Sequence, residues 1–317
     1  MDAVYQNASR KAAWRLIPFL ILCYFVAYLD RVNAGFAALT MNKELGLTAE
    51  MFGFGVGIFF FGYFIFEVPS NLILEKVGAR RWIARIMITW GVISVGFAFV
   101  PAMSATLQNA GLLFFDNART FYLMRFIFGA AEAGFFPGII LFLTHWFTAH
   151  ERARWVGVFM AAVPLSSVIG GPISGLVLDT FNGVMGLSGW QWLFIIEGVP
   201  SVLVGLWVLS YLTDKPGDAA WLEPNERIAL QARLDDERKS REAIRKYTLG
   251  EALTNPRVLG LSLVYFGIVT GVYGLSYWLP QIVKGVTTDI GLDKITGIPI
   301  NLLTGHLLAV PYAFAIE

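Results

Sequence analysis

Cysteine, histidine and charge are all scarce in this sequence. Its 317 residues include one cysteine and three histidines, and only 15% of them are charged. A single cysteine excludes a disulfide framework within the chain, and the scattered histidines form no metal-ligand spacing. The formal net charge of +1 leaves no basic excess of the kind that binds nucleic acid. There is also no nucleophile–base pattern and no phosphate-binding loop, so the sequence predicts neither an enzyme nor a bound metal or organic cofactor.

What the sequence has instead is long apolar runs. Hydrophobic residues make up 56% of the chain, and a helix that crosses a bilayer needs about 20 mainly apolar residues. These runs predict an all-α membrane protein with seven spans and a shorter eighth. They cover residues 16–39, 52–74, 82–103, 121–145, 155–178, 191–213, 256–279 and 298–316.

One long polar segment divides the apolar runs. Residues 214–255 are rich in charges and in good helix formers, which is typical of surface helices in a solvated linker. We therefore predict a complete six-helix bundle at residues 1–213, a charged linker at 214–255, and the start of a second, partial bundle at 256–317.

Lysine and arginine predict the orientation in the membrane. They concentrate in the N-terminal segment, in the loops after the second and fourth runs, and in the linker, whereas the alternate loops hold few. Loops rich in these residues stay on the cytoplasmic side. We therefore expect the N-terminus and the linker to be cytoplasmic, in a multi-pass protein of the inner membrane. No cleavage-site pattern follows the first run, which we expect to be retained as a span.

Two opposite charges lie inside the fourth apolar run. Arg125 and Glu132 are seven residues apart, which places both on one face of a helix. A charge near the centre of a span costs about 3 kcal/mol on insertion scales, and such residues are mostly functional. The first run carries a second acid and base, Asp30 and Arg31. Two facing helices could therefore place both sets around one cavity.

These four side chains predict proton-coupled transport of carboxylate anions. The planar guanidinium of arginine matches a carboxylate in bidentate geometry. Desolvation favours the protonated form of a buried acid, although a nearby arginine opposes that effect. An arriving anion would bind the arginines and free the acids for protonation. The alternative is that each acid is only the structural partner of an arginine.

Two polar residues of the second run, Glu67 and Tyr63, are weaker candidates for a functional role. Glu67 lies toward the cytoplasmic end of its run beside Pro69, and a structural role is the simpler interpretation. Tyr63 is one turn earlier on the same helix face. It could donate a hydrogen bond to the substrate, or it could be an ordinary interface aromatic.

Residues 71–81, which read Asn-Leu-Ile-Leu-Glu-Lys-Val-Gly-Ala-Arg-Arg, resemble the motif between spans 2 and 3 of the major facilitator superfamily. Asn71 and Glu75 stand where the usual form has Gly and Asp, whereas Gly78 and Arg80 follow the motif. Residues 125–129 and 171–175 resemble the superfamily's span-4 and span-5 motifs. The resemblance implies a major facilitator-type fold. It also implies that Asn71, Glu75, Gly78 and Arg80 form a motif for conformational change.

Five further stretches resemble the anion:cation symporter family, which includes permeases for tartrate, phthalate, hydroxyphenylacetate and sugar acids. The tartrate-transporter-like branch is the most similar. The stretches are Tyr-Leu-Asp-Arg-Val-Asn at 28–33, Phe-Glu-Val-Pro-Ser-Asn at 66–71, residues 125–138, Gly-Trp-Gln-Trp-Leu-Phe at 189–194, and Tyr-Trp-Leu-Pro-Gln at 277–281.

The resemblance implies a role for each matching residue. Asp30 and Glu132 would be the proton-coupling groups. Arg31, Arg125 and Tyr63 would bind the anionic substrate, and Asn33 of the same span-1 motif is predicted to join them. The partners implied are a small carboxylate anion such as tartrate and the lipid bilayer. The proton is the only coupling ion expected, no cofactor is implied, and we expect a monomer.

The family has twelve spans, and this sequence ends within the region expected to be the eighth. We therefore also consider a second hypothesis, in which the chain is a truncated relative without transport activity. Alternating access needs two bundles that rock around a shared site, and most of the second bundle lies outside this sequence.

Overall fold

The computed structural model describes residues 2–244 and 249–314, and within these ranges every regular element is helical. The all-α prediction is confirmed. The α-helices are α1 (Asp2–Leu45), α2 (Ala49–Val77), α3 (Ala79–Phe97), α4 (Val100–Asn109), α5 (Asn117–Glu132), α6 (Phe135–Thr144), α7 (Ala149–Met160), α8 (Ala162–Thr180), α9 (Gly189–Tyr211), α10 (Pro224–Ile244), α11 (Leu249–Thr254), α12 (Pro256–Asp289), α13 (Leu292–Thr296) and α14 (Ile300–Phe314).

Six helical segments of the described chain are long and apolar enough to cross a membrane. A bent pair, α3 with α4, makes a seventh if it is counted as one span. The shorter apolar helix Ile300–Val310 follows in the region of the predicted eighth run. The order of these segments agrees with the apolar runs. Two predicted spans consist of two helices each, because α5 with α6, and α7 with α8, are interrupted near their middles.

The third predicted span, residues 82–103, is corrected by the structure. Helix α3 ends at Phe97, and α4 leaves at an angle of 78°. Pro101 lies in the first turn of α4, where the missing N–H of proline is tolerated but a continuing helix is not. Residues 100–109 therefore form a separate helix in the connection before α5.

The seventh helix is longer than its apolar run predicts. The predicted run ends at residue 279, but α12 continues to Asp289. Lys284 explains part of the difference, because its ammonium donates to the carbonyl of Leu39 at 3.2 Å and to Asn301 Oδ1 at 3.0 Å. These partners come from α1 and α14, so the last turns of α12 are held by neighbouring helices.

The charged segment at 214–255 contains helices α10 and α11, and α10 packs on the first bundle. Lys11 of α1 donates to Glu226 at 2.7 Å, and this bond holds the pKa of the Glu226 carboxyl below its usual range. The indole ring of Trp221 stacks on Trp146 with 5.4 Å between centroids. Leu230 is fully buried. The linker therefore has one face against the bundle and is not wholly solvated.

Three helix pairs pack most extensively, namely α3 with α9, α2 with α5, and α8 with α14. In the second pair, a Cβ built at Gly129 would overlap the carbonyl oxygen of Phe59, and one at Gly62 would overlap that of Phe126. These glycines let two backbones touch, as small residues do in membrane helix pairs. This contact fixes α5, and the two charges it carries, against α2.

Candidate substrate and proton site

The fourth span is broken directly after Glu132. Helix α5 ends there, and Gly134 adopts φ 84°, in the left-handed region that suits glycine. Ser70 of α2 donates to the carbonyl of Ala133 at 2.7 Å, and the indole N–H of Trp82 donates to Ser70 Oγ at 2.9 Å. These bonds satisfy a carbonyl that the break leaves without a helical partner. The break thus places Glu132 at a fixed helix end.

Glu132 forms an ion pair with Arg31. The Nε and Nη2 atoms of Arg31 both donate to Oε1 of Glu132, the first at 2.8 Å. The two side chains are only 9% and 1% exposed. The other carboxylate oxygen, Oε2, is buried and has no hydrogen-bond partner among the described residues. A cation near the C-terminal end of α5 is also favoured by the helix dipole.

Arg125 is buried beside this pair without an acid of its own. Its Nε donates to the carbonyl of Gly55 at 3.4 Å, and its Nη2 donates to the hydroxyl of Tyr277 at 3.2 Å. Its guanidinium carbon lies 4.8 Å from the ring of Phe59 and 5.8 Å from that of Phe128. In the described part of the chain it forms no ion pair. This guanidinium has donors available for an anion.

Two tyrosines of α12 complete the site, and the sequence reasoning assigned neither of them a role. Tyr273 accepts a hydrogen bond from Arg31 Nη1. Tyr277 donates to the backbone carbonyl of Arg31 at 2.8 Å, besides accepting from Arg125. They are four residues apart on one helix face. That spacing of two hydroxyls inside an apolar run was the available signal.

The second span contributes Tyr63. Its ring lies 5.5 Å from the guanidinium carbon of Arg31, a distance at which a cation is attracted to an aromatic face. The structure therefore places Tyr63 at the predicted site. Glu67, one turn further along α2, is only half-buried. Its backbone carbonyl accepts from the side chain of Asn71 at 2.9 Å.

Asp30 points away from the arginines. Its carboxylate accepts hydrogen bonds from Trp90 Nε1 at 3.1 Å, from Ser94 Oγ at 2.7 Å, and from Ser201 Oγ. Asn33 Nδ2 lies 3.5 Å from Asp30 Oδ1. These partners belong to α1, α3 and α9. Asp30 and Asn33 therefore sit in a separate polar cluster between α1, α3 and α9, and not against Arg31 and Arg125.

A third buried carboxylate, Glu197 of α9, was missed by the sequence reasoning. Its side chain is buried, and Oε1 accepts from Ser174 Oγ at 2.7 Å. Glu197 is an acid within the sixth apolar run, so the signal that singled out Glu132 was present here as well.

The predicted conformational motif lies at the turn between α2 and α3. Gly78 adopts φ 97° in this turn, which suits glycine. The backbone N–H of Arg80 donates to Asp214 Oδ1 at 2.8 Å, so the end of the sixth span is tied to this turn. Glu75 is exposed, and Asn71 bonds within its own helix. Asp214 was not among the predicted motif residues.

The fold and these motifs define a class of protein. The family model described as the Major Facilitator Superfamily matches residues 20–316. The chain belongs to the Major Facilitator Superfamily, a family of transporters, and it is a multi-pass membrane protein. The superfamily and the fold predicted from the motifs are both confirmed.

Two relatives from Agrobacterium vitis are each named "Putative tartrate transporter". One is 49% identical over 97% of this chain and 64% of its own length. The other is 48% identical over 97% of this chain and 62% of its own length. The chain thus spans less than two thirds of the length of these relatives. Their names agree with the anion:cation symporter family that the motifs predict.

A solved structure of the xylose transporter XylE from E. coli, in a partially occluded inward-open conformation, has the same fold. The TM-score is 0.65, with 15% sequence identity, over 96% of this chain and 85% of that chain. At this identity the similarity concerns the fold alone.

Proposed function

We propose that the protein is a proton-coupled secondary transporter that carries a small organic anion, tartrate or a similar carboxylate, across the inner membrane. The proposal depends mainly on the burial of Arg125 without an acidic partner. This residue is 1% exposed and forms no ion pair within the described residues. Taking an unpaired charge out of water is costly, and such residues in spans usually mark a substrate or ion pathway. A carboxylate ligand supplies the missing partner.

Arg31 and Glu132 couple the binding of the anion to the uptake of a proton. A carboxylate that binds Arg125 competes with Glu132 for the guanidinium of Arg31, because arginine prefers bidentate contact with a carboxylate. When Glu132 loses Arg31, its buried charge is left unpaired, and protonation removes that charge. A dianion held by both arginines beside a protonated Glu132 leaves the site neutral. This balance links the entry of one dicarboxylate to the uptake of a proton.

Tyr63, Tyr273 and Tyr277 hold the arginines in place for this exchange. Tyr277 contacts both of them, since it donates to the backbone of Arg31 and accepts from Arg125. Tyr273 and Tyr277 come from α12, whereas the arginines come from α1 and α5. An anion bound here is therefore in contact with helices from both sides of the linker, as alternating access requires.

Asp30 remains a proposed proton-coupling residue, but one that acts at a distance from the anion. Its partners in α3 and α9 hold those helices against α1. Protonation of Asp30 would weaken these hydrogen bonds, because a neutral carboxyl is a poorer acceptor than a carboxylate. We propose that this changes the packing of the bundle and not the binding of substrate. The cytoplasmic N-terminus, the inner membrane and the monomeric state complete the proposal.

The test is uptake of labelled tartrate into vesicles that contain the full chain. We expect uptake to accelerate when the outside is more acidic than the inside. Counterflow exchange, in which labelled tartrate enters against unlabelled tartrate already inside, should proceed without a pH gradient. In Glu132→Gln, we expect counterflow to persist while the acceleration by the pH gradient disappears.

Competition with unlabelled compounds then defines the substrate class. Hydroxy-dicarboxylates should inhibit more strongly than monocarboxylates, and neutral sugars should not inhibit. Binding of tartrate without any uptake would contradict the transporter proposal for this chain. Uptake by Glu132→Gln that still responds fully to the pH gradient would contradict the role given to Glu132.

A further inference from the structure

The proposed function leaves one buried acid unused, namely Glu197. It is 4% exposed, and Ser174 Oγ is the donor to its Oε1. Its second oxygen, Oε2, is buried without a hydrogen-bond partner among the described residues. No lysine or arginine forms an ion pair with it within the described ranges. A buried carboxylate without a cation is costly, and a proton on it removes the charge.

Asn33 contacts both Glu197 and Asp30. Its side chain hydrogen-bonds the carboxylate of Glu197, and its amide nitrogen lies 3.5 Å from Asp30 Oδ1. These contacts leave Glu197 Oε2 without a hydrogen-bond partner among the described residues. A proton on Oε2 removes the charge that no cation balances.

The two other buried acids have partners that stabilise their charged forms more fully. Asp30 receives an indole N–H and two serine hydroxyls, and such donors favour the charged form of a carboxylate. Glu132 is paired with Arg31, which also favours the charge. Of these three acids, Glu197 has neither a cation nor a full set of donors, because Ser174 and Asn33 contact it and its Oε2 has no partner among the described residues. The charged group that interacts with it is Asp30.

A small cavity reaches Ser174. It has a volume of about 30 Å³, lies between α1, α8, α12 and α14, and has Ser166, Ser167 and Ser174 among its lining residues. That volume can hold a water molecule, which needs about 10–15 Å³. Ser174 is the residue that contacts Glu197, so the cavity ends one side chain away from the acid.

We propose that Glu197 is a further proton-binding residue of the transporter, which holds a proton in this conformation and exchanges it with water through the serine-lined cavity. Asn33 links it to Asp30. When the proton leaves to water, two carboxylates, Glu197 and Asp30, face each other across one amide and repel. That repulsion favours a different packing of α1 and α9. The role in transport rests on the proposed function, whereas the protonation does not.

Infrared spectroscopy of the reconstituted full chain tests the protonation directly. We expect a carbonyl band of a protonated carboxylic acid at neutral pH, lost in Glu197→Gln and retained in Asp30→Asn and Glu132→Gln. Glu197→Asp should restore the band, and melting curves in detergent show whether each variant is folded. A wild-type spectrum without the band, or a band that survives in Glu197→Gln, would overturn the proposal. Loss of the band on adding sodium would mean that the site binds a metal cation instead.

Transport measurements test the coupling role. We expect Glu197→Gln to lower proton-driven tartrate uptake by about 100-fold, the lower range for loss of a positioned proton-transfer group, while counterflow changes little. An equal loss of both would indicate a structural role and overturn the coupling part. If the wild type carries no anion but shows the Glu197 band, the proposed function fails and the protonation stands. If the wild type transports tartrate and shows no band, the proposed function stands and the protonation of Glu197 is contradicted.

Discussion

Arg125 is a buried charge with few partners in the protein. Its partners in the protein are two long hydrogen bonds and three aromatic rings, including that of Tyr277 at 5.6 Å. Contacts between a cation and a ring contribute about 0.5–2 kcal/mol each, which offsets only part of the cost of burying a charge. The protein can therefore fold with Arg125 buried, and the guanidinium still has hydrogen-bond donors available for an anion.

Replacing Arg125 should weaken anion binding without unfolding the protein. We expect Arg125→Gln to lower the affinity for tartrate about 30-fold, since a hydrogen bond to a charged group contributes about 1.5–3 kcal/mol. Equilibrium binding of labelled tartrate to purified protein measures this. The matched control is Arg119→Gln on the same helix, because Arg119 is 47% exposed and pairs with Asp116. Equal loss in both variants would argue against a binding role for Arg125.

At the residue scale, the sequence identified the charges but not their partners. Arg125 and Glu132 share a helix face in the sequence pattern, yet Glu132 pairs with Arg31 of α1. Asp30 and Arg31 are neighbours in the chain, yet they point to different clusters. Adjacent residues on a helix differ by about 100° in direction, so one helix can supply two sites. Which site each residue enters depends on the neighbouring helices.

At the scale of elements, the contact between α2 and α5 depends on glycines. Gly129→Ala would place a methyl group on the backbone of Phe59. We expect it to destabilise the fold by about 1–3 kcal/mol, as overpacking does, and to lower the melting temperature in detergent. Gly57→Ala on α2 is the control, because a Cβ at Gly57 meets nothing within 4 Å. The same melting temperature for both variants would contradict this description of the contact.

The docking of α10 should depend on pH. The hydrogen bond from Lys11 lowers the pKa of Glu226 in the folded protein, so ionised Glu226 stabilises the docked state. This contribution is present above the unfolded pKa and is lost as the pH falls through the folded pKa. The protection of the α10 amides against hydrogen exchange, measured relative to the intrinsic rate at each pH, should therefore fall in acid. Lys11→Met should weaken docking at neutral pH by about 1 kcal/mol.

The pH response distinguishes this pair from general acid unfolding. In Lys11→Met, protection of the α10 amides should be lower at neutral pH and should change less on acidification. If protection in the variant depends on pH as strongly as in the wild type, another group controls the docking of α10.

At the scale of the whole molecule, four helices meet in one polar cluster at the end where α8 terminates. Asp179 accepts from Asn301 Nδ2 at 2.6 Å and from the backbone N–H of Leu302 at 2.9 Å. Lys284 donates to Asn301 and to the carbonyl of Leu39. The cluster thus joins α1 and α8 to α12 and α14. Alternating access requires contacts of this kind to open and close.

Breaking this cluster should shift the conformational equilibrium. We expect Asp179→Asn to favour separation of α8 from α14 by about 1–2 kcal/mol, because hydrogen bonds to a charged acceptor are lost. Spin labels at Met185→Cys and Ile295→Cys, both highly exposed, should report a larger share of long distances. The native Cys23 is buried and should not compete for the label. Asp289→Asn, an exposed acid at the same end, should leave the distances unchanged.

The sequence by itself determined the class of fold and the presence of charges in the spans. Apolar runs of sufficient length must be helical in a bilayer, because backbone groups there have no water to bond. Short charged loops and local motifs are also properties of the chain alone. Because apolar runs and charged loops alternate along the chain, the order of the helices could be predicted from the sequence. The kink after Phe97 and the extension of α12 could not.

The tertiary structure alone decided which charges meet. The pairing of Arg31 with Glu132, the isolation of Arg125, and the placement of Asp30 beside Glu197 depend on helix rotation and on contacts between distant segments. Glycine contacts, the break at Gly134 and the tyrosines of α12 set those rotations. The partner that each of these residues meets has no local signature in the sequence, because that partner is far away in the chain.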